Sequence, residues 1–257
     1  FIEEGECRGG GERDRDRYVK VKKPLSIIGA GCGKTTLIGV GLMIQGSKSE
    51  GIVEIEDLTI KGAKEDGLSA FLGMKVIMSG CTVEECKGRG VYAYYADISC
   101  DDLLVVGCGE SGVCVDYATI TLSGQGTSIQ GNNPNGESHN VFIPYGLKAS
   151  SSSSKIHIVH PLTKNQISKH NGGAGNWGGD GTIEQVSKST FKKPRTKTIK
   201  NNFFIGQKCC CRWKSMTGKY YNCEILGRNK DGTYVVDYED GDKDSSVEWQ
   251  RLHKDPI

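Results

Sequence analysis

The sequence lacks long hydrophobic runs: of its 257 residues only 36% are hydrophobic, and the formal net charge is +2. A membrane-spanning helix needs about 18 or more consecutive apolar residues, and no stretch approaches that length. A charge so close to zero gives no global attraction to nucleic acid or to anionic lipid. The sequence therefore predicts a chain without a membrane partner.

The marks of a secreted, disulfide-bonded protein are also missing. The 11 cysteines are odd in number, form no C-x-x-C pair and include the run Cys209-Cys210-Cys211. There is no signal peptide and no N-x-[S/T] site, and the opening at Phe1 without methionine predicts a chain truncated at its N-terminus. These features predict a reducing, intracellular compartment. No metal-ligand spacing recurs, so neither a metal site nor a cofactor is expected.

Glycine is abundant, at 36 residues, and three glycines mark an internal repeat. Gly67, Gly90 and Gly112 lie 23 and then 22 residues apart. Small apolar residues recur around them in seven columns: Val53, Val76 and Ile98; Ile55, Met78 and Cys100; Leu58, Cys81 and Leu103; Ile60, Val83 and Val105; Ala63, Cys86 and Cys108; Leu68, Val91 and Val113; Ala70, Ala93 and Val115. Their spacing of two within each repeat indicates short strands with one buried face.

Two or three short strands per repeat, with glycine at a corner, describe one coil of a parallel β-helix. The repeat is clear over about 18–130, and we assign 1–186 to this domain, with irregular late coils and an exposed loop at Ser150–Ser154. These residues resemble the parallel β-helix repeat family with the pectin-lyase-like fold, which implies a right-handed helix. That fold is shared by polysaccharide lyases, hydrolases and non-catalytic scaffolds, so the resemblance does not define a function.

Two patterns in this domain imitate catalytic or nucleotide sites. Residues 29–36 approach a phosphate-binding loop, but the loop is one residue short and a β-branched, glycine-broken segment follows where a helix is required. Glu56 and Asp101 share one column, with Ser79 on the coil between them, and Asp57 and Asp102 share the next. Acids two coils, or roughly 10 Å, apart are expected to be solvated. We therefore predict no catalytic residues; a polysaccharide lyase or hydrolase is the alternative.

The outward columns carry tyrosines. Tyr92, Tyr94, Tyr95 and Tyr117 lie beside or between inward positions, with Phe71 one coil away. Such a patch on a flat sheet predicts a surface that binds a glycan or another protein; coverage by neighbouring loops is the other interpretation.

The C-terminal part differs in composition. Segment 187–202 is basic, contains a proline and lacks acids, which predicts a flexible linker. Its stretch 192–197 is similar to a nuclear-localisation or nucleic-acid-binding patch. In 203–257, four strands are predicted at 208–213, 220–226, 233–238 and 245–249, with Asp231-Gly232 as a tight turn. This domain is expected to be a small SH3-like β-barrel.

The order Arg212-Trp213, Tyr220-Tyr221, Val236-Asp237-Tyr238-Glu239-Asp240 and Trp249 resembles a Tudor domain, most closely the Polycomb-like branch. Tudor domains bind methylated lysine or arginine in an aromatic cage, where ring faces replace water around the cation. The resemblance implies a peptide-binding cage with walls Trp213, Tyr221 and Tyr238. Asp240 and Asp242 would be the acids at its rim. The other interpretation is that Trp213 and Tyr238 pack in the barrel core and that the acidic turn binds nothing.

Taken together, the sequence predicts an all-β, non-catalytic interaction protein: a β-helix scaffold joined to a Tudor-like reader of a cationic, methylated protein tail, such as a histone tail. The β-helix face would bind other proteins, and the basic segment suggests a nuclear protein that contacts nucleic acid weakly. The alternative is a carbohydrate-active or glycan-binding β-helix with an accessory barrel.

Overall fold

The structure is a computed structural model that describes residues 5–8, 17–30, 33–136, 143–188, 208–212, 220–228, 233–247 and 252–253. The chain divides into two compact units, Phe1–Pro194 and Arg195–Ile257. The boundary falls inside the basic segment 187–202, most of which lies outside the described residues, so the linker stays a prediction. Among the described residues, no helix is long and apolar enough to cross a bilayer.

The first unit is a parallel β-solenoid, in which three consecutive strands make one coil and the strands of successive coils form three seven-stranded sheets. Sheet A contains β1 (Gly5–Arg8), β4 (Thr35–Ile38), β7 (Thr59–Lys61), β10 (Thr82–Glu84), β13 (Leu104–Val106), β16 (Ser128–Gln130) and β19 (Ser168–Lys169). Sheet B contains β2 (Tyr18–Val21), β5 (Gly41–Gln45), β8 (Leu68–Phe71), β11 (Val91–Tyr94), β14 (Val113–Asp116), β17 (Leu147–Ala149) and β20 (Trp177–Gly178). Sheet C contains β3 (Ser26–Ile28), β6 (Ile52–Glu56), β9 (Lys75–Ser79), β12 (Asp97–Asp101), β15 (Thr119–Ser123), β18 (Lys155–Val159) and β21 (Thr182–Val186). A single described helix, α1 (Lys164–Ile167), lies between β18 and β19.

This solenoid confirms the predicted parallel β-helix and its register. In sheet C, for example, Val76 pairs with Val53 of the preceding coil and with Ile98 of the following coil. Every member of the seven apolar columns is buried. Full burial of one aliphatic side chain contributes about 1.5–3 kcal/mol, so the stacked columns form the core. The cysteine columns belong to this core, where burial raises the pKa of the Cys100 thiol.

The three anchor glycines are required by close packing between coils. A Cβ atom on Gly90 would overlap the side chain of Val105 and approach the carbonyl oxygen of Gly112 to 2.5 Å. The same overlap recurs for Gly67 with Val83 and for Gly112 with Ile129. Each coil therefore presents a bare backbone to a branched side chain on its neighbour, which explains why the repeat shows glycine at this offset.

The corners of the coils adopt a left-handed backbone. Gly62, Glu85 and Gly107 share one corner, with φ of 60°, 54° and 65°. This conformation is costly for large side chains and easy for glycine. At residues 29–36 the rejection of a phosphate-binding loop is confirmed, because Thr35–Ile38 is a strand and not the start of a helix.

The second unit contains a five-stranded antiparallel sheet in the order β25-β24-β23-β22-β26. The strands are β22 (Lys208–Arg212), β23 (Tyr220–Arg228), β24 (Tyr234–Tyr238), β25 (Lys243–Val247) and β26 (Leu252–His253). Four of them correspond to the four predicted strands. Their buried residues form a separate core cluster that includes Cys209, Cys223, Tyr234 and Val236. An all-β chain is thus confirmed, and closure of the sheet into a barrel stays a prediction.

We predict that Gly90→Ala lowers the free energy of unfolding by about 1–3 kcal/mol, the usual cost of overpacking a core. The measurement is urea unfolding followed by circular dichroism. Gly62→Asn is the matched control, because Gly62 has φ 60° and open space around its Cβ position. Asparagine tolerates this backbone, so the control should change stability by no more than about 0.5 kcal/mol. Equal losses in the two variants would contradict the steric explanation.

Candidate functional site

The outward tyrosines form one connected cluster, here called the aromatic ridge: Phe71, Tyr92, Tyr94, Tyr95 and Tyr117. Tyr92 and Tyr94 project from β11, and Phe71 lies opposite Tyr94 on β8. The ring of Phe71 makes edge contacts with Tyr92 at 5.8 Å and with Tyr94 at 6.3 Å between centroids. The rings of Tyr94 and Tyr95 form a T-shaped contact, with their centroids 4.6 Å apart. The predicted tyrosines are therefore brought together, with Phe71 as a fifth member.

Tyr95 and Tyr117 occupy a corner of the solenoid together with Leu72. The three residues have φ of 66° (Leu72), 49° (Tyr95) and 50° (Tyr117), all in the left-handed region. Their exposures are 65%, 50% and 49%, so this corner is a column of exposed large apolar side chains. Bulky residues seldom take this backbone, which costs on the order of 1–3 kcal/mol each and is concentrated at functional sites.

The rings of Tyr95 and Tyr117 are stacked, with centroids 5.0 Å apart and planes inclined by 6°. A ligand group between two rings would need a separation of roughly 7 Å, twice the optimal contact distance of about 3.5 Å. Nothing can therefore enter between these rings. Tyr95 covers one face of Tyr117, and a ligand can stack only on the opposite face.

A shallow groove runs beside this stack and has a volume of about 240 Å³. Lys48, Asp97, Thr119 and Ser153 line it together with the two tyrosines. Lys48 Nζ lies 2.8 Å from Asp97 Oδ2 in an exposed ion pair. Such exposed ion pairs contribute little to stability. A ligand in the groove can therefore break this pair and bind its polar groups.

The other end of the ridge is fixed by a buried ion pair. Arg89 Cζ lies 3.6 Å from the centre of the Tyr92 ring. Its guanidinium donates from Nε to Asp66 Oδ1 at 3.0 Å and from Nη2 to Asp66 Oδ2 at 3.1 Å. Asp66 is buried and also accepts a hydrogen bond from the Ser69 hydroxyl at 2.8 Å. The chain thus holds a guanidinium between a tyrosine face and a carboxylate.

Two phenols of the ridge have a raised pKa. Partial desolvation raises the pKa of Tyr95, and the nearby Tyr94, Tyr117 and Asp116 raise it further. Desolvation also raises the pKa of Tyr92, against the opposing effect of the Arg89 charge. The raised pKa keeps the hydroxyl groups of Tyr92 and Tyr95 neutral over the physiological pH range.

The acid columns lie where the register predicts, with Ser79 between Glu56 and Asp101. Asp101 Oδ1 accepts a hydrogen bond from the Ser123 hydroxyl at 2.8 Å, and Asp102 Oδ1 accepts one from the Gly126 amide at 2.7 Å. The carboxylates of Asp101 and Asp102 are thus hydrogen-bonded to residues of the same corner. Among the described residues, no group of three His, Cys, Asp or Glu residues could hold a metal ion.

The residues of the predicted cage lie in different environments. Tyr221 is 38% exposed, whereas Tyr238 is 4% exposed and donates its hydroxyl to Cys211 Sγ at 3.1 Å in the core of the sheet. Asp240 and Asp242 are exposed, and the Asp242 amide donates to Asp240 Oδ1 at 3.1 Å. Trp213 lies outside the described residues. The cage therefore stays a prediction.

A separate pocket of about 230 Å³ lies against β22–β24 in this unit. The carboxylates of Glu224, Asp237 and Glu239 line it, together with Lys208 and Asn222. Lys243 Nζ lies 3.4 Å from Asp237 Oδ2, so three acids are set against two lysines and the pocket has a net negative charge.

The sequence did not predict three features that lie beside the ridge: the Arg89–Asp66 pair, the exposed Leu72 and the groove at Lys48. The register could have placed Leu72 in the column of Tyr95 and Tyr117, since each follows the last residue of a sheet B strand. The groove depends on the path of a loop and left no periodic signal.

Comparisons with protein-family models, with curated proteins and with solved structures find no match for this chain.

We predict that Arg89→Met lowers the free energy of unfolding by about 3 kcal/mol, because it leaves the buried Asp66 charge without its partner. Adding Asp66→Asn should recover part of this loss. Lys48→Met removes an exposed ion pair and serves as the control, with an expected cost below about 1 kcal/mol. Urea unfolding of the three variants measures these changes. A cost for Arg89→Met no larger than for Lys48→Met would contradict the role of the buried pair.

Proposed function

We propose that this chain is a non-catalytic interaction protein, in which the solenoid is a rigid scaffold and the aromatic ridge binds a partner protein. The observation that carries this proposal is the half-exposed Tyr95–Tyr117 stack at the strained corner. Large exposed aromatic side chains on a fixed backbone are typical anchors of protein interfaces.

The rigidity of the ridge supports a binding role. Tyr94 contacts the rings of Tyr95, at 4.6 Å, and of Tyr117, at 6.4 Å. The Tyr117 amide donates to the hydroxyl oxygens of Ser151, at 3.1 Å, and Ser154, at 3.0 Å. Ring contacts hold the side chains, and the amide hydrogen bonds hold the backbone that carries Tyr117. The rings therefore lose little conformational freedom on binding, which reduces the entropic cost of association.

The arrangement of the acids supports a non-catalytic scaffold. Paired carboxylates for glycoside hydrolysis lie about 5–9.5 Å apart across a substrate site. Here Glu56 and Asp101 are on alternate coils, and Asp101 and Asp102 have hydrogen-bond partners within the corner.

A glycan-binding or carbohydrate-active solenoid is the second candidate function, and the exposed aromatic ridge is the observation that favours it. Sugar rings stack on aromatic faces, but the space between Tyr95 and Tyr117 is closed, so the stack offers a long glycan only its outer faces. Release of new reducing ends from a uronic-acid polymer by the full chain would establish this candidate and contradict the non-catalytic proposal.

Peptides that bind the full chain can be selected from an immobilised random library. We predict that their affinity for the double variant Tyr95→Leu/Tyr117→Leu is at least about tenfold lower than for the unaltered chain. Leucine is the suitable replacement because Leu72 already occupies the same corner with the same backbone. Trp177→Leu, at an exposed aromatic outside the ridge, is the control. Selected peptides whose affinity is unchanged in the double variant would show that the ridge is not the binding surface.

The second unit is proposed to be a Tudor-like reader of a cationic, methylated peptide, in a protein that works inside the cell and reaches the nucleus. Its resemblance to the Tudor family, the exposed Tyr221 and the electronegative pocket beside Glu224 and Asp237 support this proposal. Methylated ammonium groups are attracted by aromatic faces and by nearby carboxylates.

We predict that the full chain binds a methylated lysine or arginine peptide from a histone tail more tightly than the unmethylated peptide. Trp213→Ala should remove this preference, and Tyr221→Ala should weaken it by about 3- to 30-fold, the range for one cation–π contact. Isothermal calorimetry measures both, and Trp177→Leu, at an exposed aromatic outside the ridge and the predicted cage, is the control that should bind normally. Equal affinity for methylated and unmethylated peptides would contradict the reader.

A further inference from the structure

Beside the aromatic ridge lies the carboxylate of Asp116, which has no partner among the described residues. This residue ends β14, lies opposite Tyr94 in sheet B and directly precedes Tyr117. It is only partly buried, and within the part of the chain that the structure describes its carboxylate makes no hydrogen bond or ion pair. The Asp116 charge acts on the phenols of Tyr92 and Tyr95, so it lies within electrostatic range of the ridge.

The cations on this side of the solenoid are already engaged. Arg89 is held by Asp66, and Lys48 pairs with Asp97. Lys148, which lies one coil beyond Cys114, is 9% exposed and has contacts of its own. The ridge therefore combines electron-rich rings with an uncompensated negative charge, and both attract a positively charged group.

The shape of the site selects a flat cation. The Tyr95–Tyr117 stack is too close to admit a group between the rings, and Tyr95 covers one face of Tyr117. Because Tyr95 lies on the preceding coil, the other face of Tyr117 is on the side of the following coil. The turn of that coil beside Tyr117, Ser151–Ser154, carries only serine side chains, and Ser153 lines the groove. A tetrahedral methylated ammonium is best held by walls on several sides, whereas a planar guanidinium needs one open face and one carboxylate.

The same chain already contains this arrangement at the opposite end of the ridge. Arg89 lies over the Tyr92 ring with its guanidinium bonded to Asp66. Tyr117 and Asp116 offer the same two components, a tyrosine face and a carboxylate, and no guanidinium of a described residue fills them.

We propose that the ridge binds an arginine side chain of a partner protein, with the guanidinium stacked on the free face of Tyr117 and bonded to Asp116. This inference rests on the proposed function, because it names the chemistry that the ridge recognises in its partner. The aliphatic part of the arginine lies in the groove between Ser153 and the Lys48–Asp97 pair.

The test is an NMR titration of the full chain, labelled with ¹³C on its tyrosine rings, with four capped tripeptides. The central residue is arginine, citrulline, lysine or trimethyl-lysine, between two glycines. Citrulline is the matched control because it keeps the planar shape of arginine and lacks its charge. We expect the arginine peptide to shift the Tyr117 and Tyr95 signals and to bind at least about fivefold more tightly than the other three. Its affinity should also fall with added salt.

The variants assign the site. Tyr117→Leu should weaken binding of the arginine peptide by about 3- to 30-fold, whereas Tyr117→Phe, which keeps the ring, should bind normally. Asp116→Asn should weaken it by about threefold or more. Asp57→Asn, an equal change of charge at an exposed corner on another sheet, is the control and should leave the affinity unchanged. The tyrosine spectrum of each variant shows that the solenoid remains folded.

Each contrary outcome has a distinct meaning. Equal affinity for citrulline, or tighter binding of trimethyl-lysine, would overturn the guanidinium assignment while leaving the ridge as a binding surface. Arginine binding that Tyr117→Leu does not change would place the site elsewhere and overturn the proposal. Ridge signals that respond to a neutral oligosaccharide and not to arginine would favour the glycan candidate. If library-selected peptides are also unaffected by the ridge variant, the proposed function fails together with this inference.

Discussion

The stacking of coils at the spacing of hydrogen-bonded strands is the constraint on which the first unit depends. Strands in a parallel sheet lie about 4.8 Å apart, so each residue lies directly above and below its counterparts on adjacent coils. Inside, this spacing produces the buried columns and leaves no room for a side chain at Gly67, Gly90 and Gly112. Outside, it places equivalent tyrosines one coil apart, and the 5.0 Å stack of Tyr95 and Tyr117 follows from the same repeat.

The left-handed backbone at the corner of Leu72, Tyr95 and Tyr117 is maintained by hydrogen bonds to neighbouring coils. Coil-to-coil hydrogen bonds hold the backbone, with the Tyr95 amide donating to the Asp116 carbonyl at 3.2 Å. The Tyr117 amide instead donates to two serine hydroxyls of the following turn. Other corners meet the same left-handed requirement with glycine or with the polar residues Asp57, Glu85, Asp102, Asn133 and His170. The use of leucine and tyrosine at one exposed corner is therefore not explained by the backbone, and the exposed rings supply the physical reason for a binding role.

The sequence predicts periodic features well, because a repeat of 22–23 residues determines both the pairing register and the buried face. The columns of Val76 and Val83 and the clustering of the tyrosines follow from that register. Features that depend on three-dimensional neighbours could not be predicted, such as the Arg89–Asp66 pair or the lack of a partner for Asp116 among the described residues. Serines 150–154 were expected to be an exposed loop, which is wrong for Ser154, because its hydroxyl is buried under the Tyr117 amide. In the second unit, alternation in β24 places Tyr238 on the same buried face as Tyr234 and Val236; the resemblance to Tudor domains carried no such information.

The two units offer different physical bases for recognising a cation. In the solenoid, Tyr94, Tyr95 and Tyr117 are fixed by strand pairing and ring contacts, so their geometry exists before a ligand binds. In the C-terminal sheet, Tyr221 is exposed and Tyr238 is buried with a hydroxyl partner. A cage that used Tyr238 would have to replace its bond to Cys211 and expose core surface, at a cost that the methylated group must offset. The solenoid needs no such rearrangement. The ridge is therefore better preorganised for the proposed guanidinium than a cage built on Tyr238 is for a methylated ammonium.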